Sequence, residues 1–160
     1  MGNYQYRSGL GNSAAYLVGG IPWITGSENM CEPGTTHRIQ FPRVTRSVTI
    51  VASGSTQTVA ACNNDAQTRT IDSVIRVHFT TTGSYPYNAA HPEQGPMQGQ
   101  HYITLDSDED SVTFNIKCKE IYLTNVQCDN TKTSQYQVFA ELTQIPVEEM
   151  YPLTGSGVTQ

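Results

Sequence analysis

The chain has 160 residues, a net charge of −5 and only 14% charged residues, against roughly 25% in ordinary globular domains. This length suits one domain whose hydrophobic core needs no metal or disulfide staples. Residues 1–92 carry six Arg against four acidic residues (+2), whereas residues 93–160 carry three Lys against ten (−7). That distribution argues against a nucleic-acid binder, which needs a concentrated basic surface, and no stretch approaches the ~18 apolar residues of a membrane span.

The first 35 residues hold seven of the thirteen Gly and contain one plausible short strand, Ala14 to Val18. They also carry four large aromatic residues, Tyr4, Tyr6, Tyr16 and Trp23. Because aromatic side chains gain most from burial, we predict that residues 1–35 form an arm that docks, either on its own domain or on a neighbour.

Strands are predicted to follow from residue 36. "THRIQFP" ends at Pro42, which should interrupt a ladder or lie at an edge. "RVTRSVTIVAS" places Val44, Val48 and Ile50 on one face, with Arg46 in the same register. The polar stretch "GSTQTVAACNNDAQTRT" then connects to the next strand and allows a small hairpin.

"SVIRVHFTTT" is the clearest strand, with Ile75, Val77 and Phe79 predicted inward and Arg76 and His78 predicted outward and exposed. A loop over residues 83–100 follows, with three Pro and three Gly. Loops of this length are usually functional or disordered. This loop is rich in side chains of the kind found at protein interfaces, namely Tyr85, Tyr87, His91 and Met97. Tyr102 lies just beyond it.

The acidic cluster at Asp106, Asp108 and Asp110 matches the first three ligand positions of a helix-loop-helix calcium loop. Ser111 and Lys117 stand where that loop needs Gly and a bidentate Glu. Residues on both sides of the cluster alternate with period 2, so we predict a hairpin connection between two strands. Calcium held adventitiously or at an interface is the alternative.

Two further strands are predicted, "KEIYLTNV" and "QYQVFAELTQI", and Pro146 ends the second one. In the second, Tyr136, Val138, Ala140 and Leu142 face one way. The tail, residues 146–160, reads as an extended segment that includes Tyr151.

No window shows helical periodicity, so we predict an all-β fold, an antiparallel β-sandwich or jelly roll of seven to eight strands with extended N- and C-terminal arms. The predicted domains are a docking arm (1–35), a β-sandwich (36–145) and an extended tail (146–160). The predicted core comprises Ile75, Val77, Phe79, Ile103, Leu105, Val112, Phe114, Ile116, Ile121, Leu123, Val138 and Leu142.

Residues suited to catalysis or metal binding do not form a recognisable motif. The four Cys (Cys31, Cys62, Cys118 and Cys128) lack zinc-site spacing, and we favour free thiols over a Cys62–Cys128 bridge. Cys118 continues an inward register and is predicted to be buried. The His residues read as exposed strand residues, and nucleophile-elbow and phosphate-loop motifs are missing. We therefore predict no enzymatic activity and no cofactor.

Four stretches taken together carry a resemblance: "GLGNSAAYLVGGIPWITGS", "IQFPRVTRSVTIVAS", "IRVHFTT" and "GQHYITLDSDEDSVTFNIKCKEIYLTN". As a set they resemble small virion structural proteins, capsid-associated or decoration proteins, of marine tailed bacteriophages. The resemblance covers most of the chain and implies a β-sandwich whose extended arms pin neighbouring capsid subunits. The loop at 83–100 and the tail have no counterpart in that pattern.

These observations lead to a hypothesis of a capsid decoration protein that binds the major capsid protein or other virion subunits and self-associates. It would be made in the host cytoplasm and reside at the capsid surface. The predicted contact residues are Tyr4, Tyr6, Tyr16, Trp23, Tyr85, Tyr87, Met97 and Tyr151. A tail or neck component and a carbohydrate-binding host-recognition module are the alternatives.

Overall fold

A computed structural model describes residues 9–11, 20–30, 36–54, 57–60, 68–71, 75–79, 102–105, 110–125 and 134–151. These residues contain a short 3-10 helix (Val147–Glu149) and ten strands: β1 (Ile21–Met30), β2 (Thr36–Gln40), β3 (Thr45–Gly54), β4 (Gln57–Ala60), β5 (Thr68–Ile71), β6 (Ile75–His78), β7 (Ile103–Leu105), β8 (Ser111–Phe114), β9 (Glu120–Asn125) and β10 (Ser134–Leu142). Within this part of the chain, no helix has the length and apolar character needed to cross a membrane.

The strands form two four-stranded antiparallel sheets and one separate hairpin. Sheet A has the order β1-β10-β3-β8, sheet B has the order β2-β9-β6-β7, and β4 pairs with β5. The pairings are nested, because β1 pairs with β10, β2 with β9, β3 with β8 and β6 with β7. An antiparallel ribbon folded over in this way is a jelly roll. The predicted all-β sandwich is therefore confirmed, and so is the small hairpin between the third strand and residue 75.

The core lies between the inner faces of the two sheets. Most of the predicted core residues are buried there or pack against it, with Met30, Ile39, Phe41, Val48, Ile50 and Tyr136 as further members. Ile103 is an exception, since it is 44% exposed. It begins the three-residue edge strand β7, where a side chain can be covered from one side only.

The hairpin predicted at the acidic cluster is wrong. β7 belongs to sheet B and pairs with β6, whereas β8 belongs to sheet A and pairs with β3. Residues 106–110 therefore connect the two sheets. Period-2 alternation identifies two half-buried strands equally well in either arrangement, because it carries no information about which strand each one pairs with.

A β-bulge corrects the predicted register of β3. Ser47 faces Glu141 and Thr45 faces Leu142, so Arg46 is the extra residue. The bulge turns Thr45 inward, where it is fully buried. Its hydroxyl donates to the carbonyl oxygens of Ile116 and Cys118 at 3.0 and 3.2 Å. Arg46, predicted in the register of the core residues, is exposed instead.

Parts of the predicted arm and tail pack on their own domain. The sequence predicted no strand at residues 21–30, but β1 lies there and forms the edge of sheet A. The Trp23 ring meets Phe41 edge-on at 5.2 Å between centroids. Ile145 and Met150 bury Val44 in a second small cluster, against which Leu10 packs. The strand predicted at residues 14–18 lies outside the described residues.

Two isoleucines of sheet B allow a matched test of this core. Ile121→Ala should lower the free energy of unfolding by about 2–5 kcal/mol, because Ile121 is fully buried. Ile103→Ala removes the same atoms from an exposed site and should change it by about 0.5 kcal/mol. Urea denaturation followed by circular dichroism measures both, and equal losses would contradict the exposed position of Ile103 on the edge strand β7.

Candidate functional site

The outer face of sheet A is a candidate interaction surface. Strand alternation directs one set of side chains inward and the other set outward, and the register aligns the outward set across all four strands. This face includes Pro22, Ile24 and Gly26 from β1, Gln135, Gln137, Phe139 and Glu141 from β10, Ser47, Thr49, Val51 and Ser53 from β3, and Ser111 and Thr113 from β8.

One row crosses the middle of this face. Ile24 lies opposite Phe139, Phe139 opposite Thr49, and Thr49 opposite Thr113. Ile24 is 73% exposed and Phe139 is 41% exposed, while the hydroxyls of Thr49 and Thr113 share a hydrogen bond of 2.9 Å. The row therefore offers two large apolar side chains to solvent beside a pair of threonines already bonded to each other.

Charge is nearly absent from the residues named for this face. Glu141 is the one charged residue among them, and the bulged Arg46 lies 3.8 Å from it, Nε to Oε2, as a loose, exposed pair. Such pairs contribute little to stability and leave the face neutral. Exposed apolar side chains among uncharged polar ones are typical of surfaces that bind other proteins.

The outer face of sheet B differs because its polar groups bond to one another. His78, predicted to be exposed, is only 2% exposed. Its ring stacks on Tyr122 at 5.6 Å between centroids, and Nε2 lies 2.8 Å from the Thr124 hydroxyl. That hydroxyl also bonds to the hydroxyl of Thr36 at 2.7 Å. The prediction of an exposed His78 is wrong. His78 does point away from the core, as the alternation of β6 predicts, but the outer face of β6 is covered at this position.

Glu120 joins this network to the edge strand β2. Arg38 donates to Glu120 Oε2 from Nε at 2.8 Å and from Nη2 at 2.5 Å, and the Tyr122 hydroxyl donates to Oε1 at 3.0 Å. Burial raises the pKa of Glu120, but the hydrogen bonds from Arg38 and Tyr122 outweigh burial and leave that pKa lowered. Burial, and then the bond to Glu120, raise the pKa of Tyr122. This bonding stabilises sheet B itself.

The residues predicted as contacts are distributed unevenly. Trp23 packs against the core of its own chain, and Tyr151 is 61% exposed just after the 3-10 helix. Tyr4, Tyr6, Tyr16, Tyr85, Tyr87 and Met97 lie outside the described residues. Ile24 and Phe139 are not among the contact residues predicted from the sequence. Phe139 alone gave a signal, because it is an aromatic residue in the outward register between two polar positions.

Asp110 is the one member of the acidic cluster that the structure describes. Its main-chain carbonyl accepts a hydrogen bond from the Ala52 amide at 2.8 Å, which extends the pairing of β3 with β8. Asp106 and Asp108 lie outside the described residues. Within the described ranges, no three His, Cys, Asp or Glu side chains are grouped so that they could hold a metal.

Cys118 is a buried free thiol, as the sequence predicted. Its sulfur lies 3.2 Å from the Thr45 hydroxyl, and burial raises its pKa to about 11. A thiol with a raised pKa is a poor nucleophile and a poor metal ligand, so Cys118 is a packing residue.

Comparison with known proteins identifies no relative of this chain. No protein-family model matches this chain, and neither the curated proteins nor the solved structures give a significant match.

The lowered pKa of Glu120 makes its contribution to stability depend on pH. Ionised Glu120 should stabilise the fold above its ordinary pKa near 4.5, and this contribution is lost as pH falls through the lower folded value. The stability difference between the wild type and Glu120→Gln should therefore shrink between pH 7 and strongly acidic pH. Urea titrations across that range measure it. Glu141→Gln, which removes the loose 3.8 Å pair, is the control and should show a smaller effect at every pH.

Proposed function

We propose that this chain is a non-enzymatic virion structural protein, a capsid decoration protein that binds and stabilises neighbouring capsid subunits. The observation that carries the proposal is the outer face of sheet A, where Ile24 and Phe139 are exposed side by side on a neutral surface. The resemblance to capsid-associated proteins supplies the kind of partner, and the face supplies a place for that partner to bind.

The chemistry of the face suits a flat protein partner. Phe139 can act as an aromatic anchor, and the polar side chains around it, Gln137 and Thr49 among them, can form a rim that excludes water. Stable contacts of this kind bury about 1,200–2,000 Å² in total. The neutral surface avoids the cost of desolvating unpaired charges, which fits a lasting structural contact.

The fold is compatible with this function without defining it. Jelly rolls include viral capsid domains as well as lectins and enzymes. The carbohydrate-binding alternative depends on residues outside the described part of the chain, such as Tyr85 and Tyr87. Protein binding is therefore the function that a described surface supports, and decoration is the form of it that we propose.

Substitution of the exposed aromatic residue tests the surface. Phe139→Gln should weaken binding of the purified protein to particles that lack it by about tenfold or more, since anchor residues cost over 1 kcal/mol when removed. Ile103→Gln is the matched control, because Ile103 is 44% exposed on sheet B and Phe139 is 41% exposed on sheet A. Both variants should denature in urea much as the wild type does. Equal binding by Phe139→Gln and the wild type would refute the surface.

Counting copies separates decoration from the other virion positions. Quantitative mass spectrometry of purified particles should find this chain in a simple ratio to the major capsid subunit. A handful of copies per particle would assign it to the tail or neck, and its absence would refute the virion proposal.

The contribution of the arms can be tested only with truncations that respect the fold. Removal of residues 1–35 would also remove β1, and removal of 146–160 would remove Met150 from its buried cluster. Deleting residues 1–8, which include Tyr4 and Tyr6, or residues 152–160 avoids both losses. If the arms supply contact, each truncation should bind particles less tightly while its urea midpoint stays near that of the full chain.

A further inference from the structure

β1 differs from the other strands that border the two sheets. It spans ten residues, and no described strand pairs with its outer edge. The segment Ile21–Ser27 carries no charged side chain. By contrast, β2 carries Arg38, β7 has three residues and β8 has four. Short length and charge are common protections against pairing of edge strands, and β1 has neither along this segment.

Hydrogen-bond alternation shows which residues of β1 direct main-chain groups to that outer edge. The Tyr136 carbonyl oxygen lies 2.8 Å from the position that a Cβ at Gly26 would occupy, so it points toward β1 beside Ser27. Ser27 and every second residue before it therefore bond to β10. The main-chain groups of the alternate residues, Pro22, Ile24 and Gly26, point to the outer edge. Pro22 is suited to this position because it has no N–H that would need a partner there.

We propose that two copies of this chain pair through β1, antiparallel and centred on Ile24. In this register the two Ile24 residues face each other and exchange two N–H···O=C bonds across a two-fold axis. The Gly26 amide of each copy donates to the Pro22 carbonyl of the other. The missing amide of Pro22 lies opposite the Gly26 carbonyl, so four main-chain bonds form where an unbroken strand would form six.

The same pairing joins the two outer faces of sheet A. The exposed row of one copy, Phe139 and Ile24, continues into Ile24 and Phe139 of the second copy, because residues in register on neighbouring strands lie on one face. Within Ile21–Ser27 no like charges meet, because this segment is uncharged. Such a dimer should be insensitive to salt, unlike a head-to-tail association of the positive and negative halves of the chain. The proposed dimer does not depend on the proposed function in a virion.

Sedimentation velocity of the purified full chain over a wide range of concentrations tests the pairing. The wild type should approach twice the 17.6 kDa chain mass at low and at high salt. Ile24→Pro removes the two amides at the two-fold axis while keeping the bonds of β1 to β10, and it should weaken the dimer by about tenfold or more. Thr113→Pro is the matched control on the opposite edge strand of the same sheet and should leave the dimer intact.

Ile24→Lys provides a second variant in case proline disturbs the strand. It brings two ammonium groups together at the axis, so its dimer should be lost at low salt and partly recovered at high salt. A wild type that stays monomeric at every concentration would overturn the proposal. So would a wild-type dimer that dissociates in salt, or equal effects of Ile24→Pro and Thr113→Pro.

Discussion

The structure depends on the double pairing of β10, which bonds to β1 near the start of the chain and to β3 on its other side. This strand fixes the register of sheet A and assigns each side chain to one of two environments. Tyr136, Val138, Ala140 and Leu142 enter the core, and Phe139 lies outside between Gln137 and Glu141. The candidate surface is thus the reverse side of the strand that closes the core.

The two sheets use their outer faces differently. In sheet B, His78, Tyr122 and Thr124 are buried. His78 bonds to Thr124 and stacks on Tyr122, and the Tyr122 hydroxyl donates to Glu120, which also accepts from Arg38 at the edge. Polar groups satisfied within the chain stabilise it and offer little to a partner. In sheet A, the central row leaves Ile24 and Phe139 exposed. The difference in exposure, more than any single residue, favours sheet A as the binding side.

Segments near both ends of the chain pack against the rest of the domain. β1 completes sheet A, and Trp23 lies against Phe41. Near the other end, Ile145 and Met150 bury Val44, and Leu10 packs against the same cluster. Segments that look like appendages in the sequence therefore contribute buried contacts to the domain. An interface at β1 would depend on the fold, because the strand that pairs with a partner is held in place by its bonds to β10.

The sequence by itself determined most of the strands and most of the core, because alternation with period 2 reports burial of one side of a strand wherever that strand lies. It did not predict β1, since residues 19–35 read as part of a Gly-rich arm. It correctly predicted the inward residues of β10, the burial of Cys118 and the all-β sandwich. Only the tertiary structure decided which strands pair, and so that residues 106–110 join two sheets. It also decided that a bulge at Arg46 turns Thr45 inward, that His78 is covered, and that Ile24 and Phe139 share an exposed row. Each of these depends on contacts between residues distant in the chain, and a local pattern carries no information about such partners.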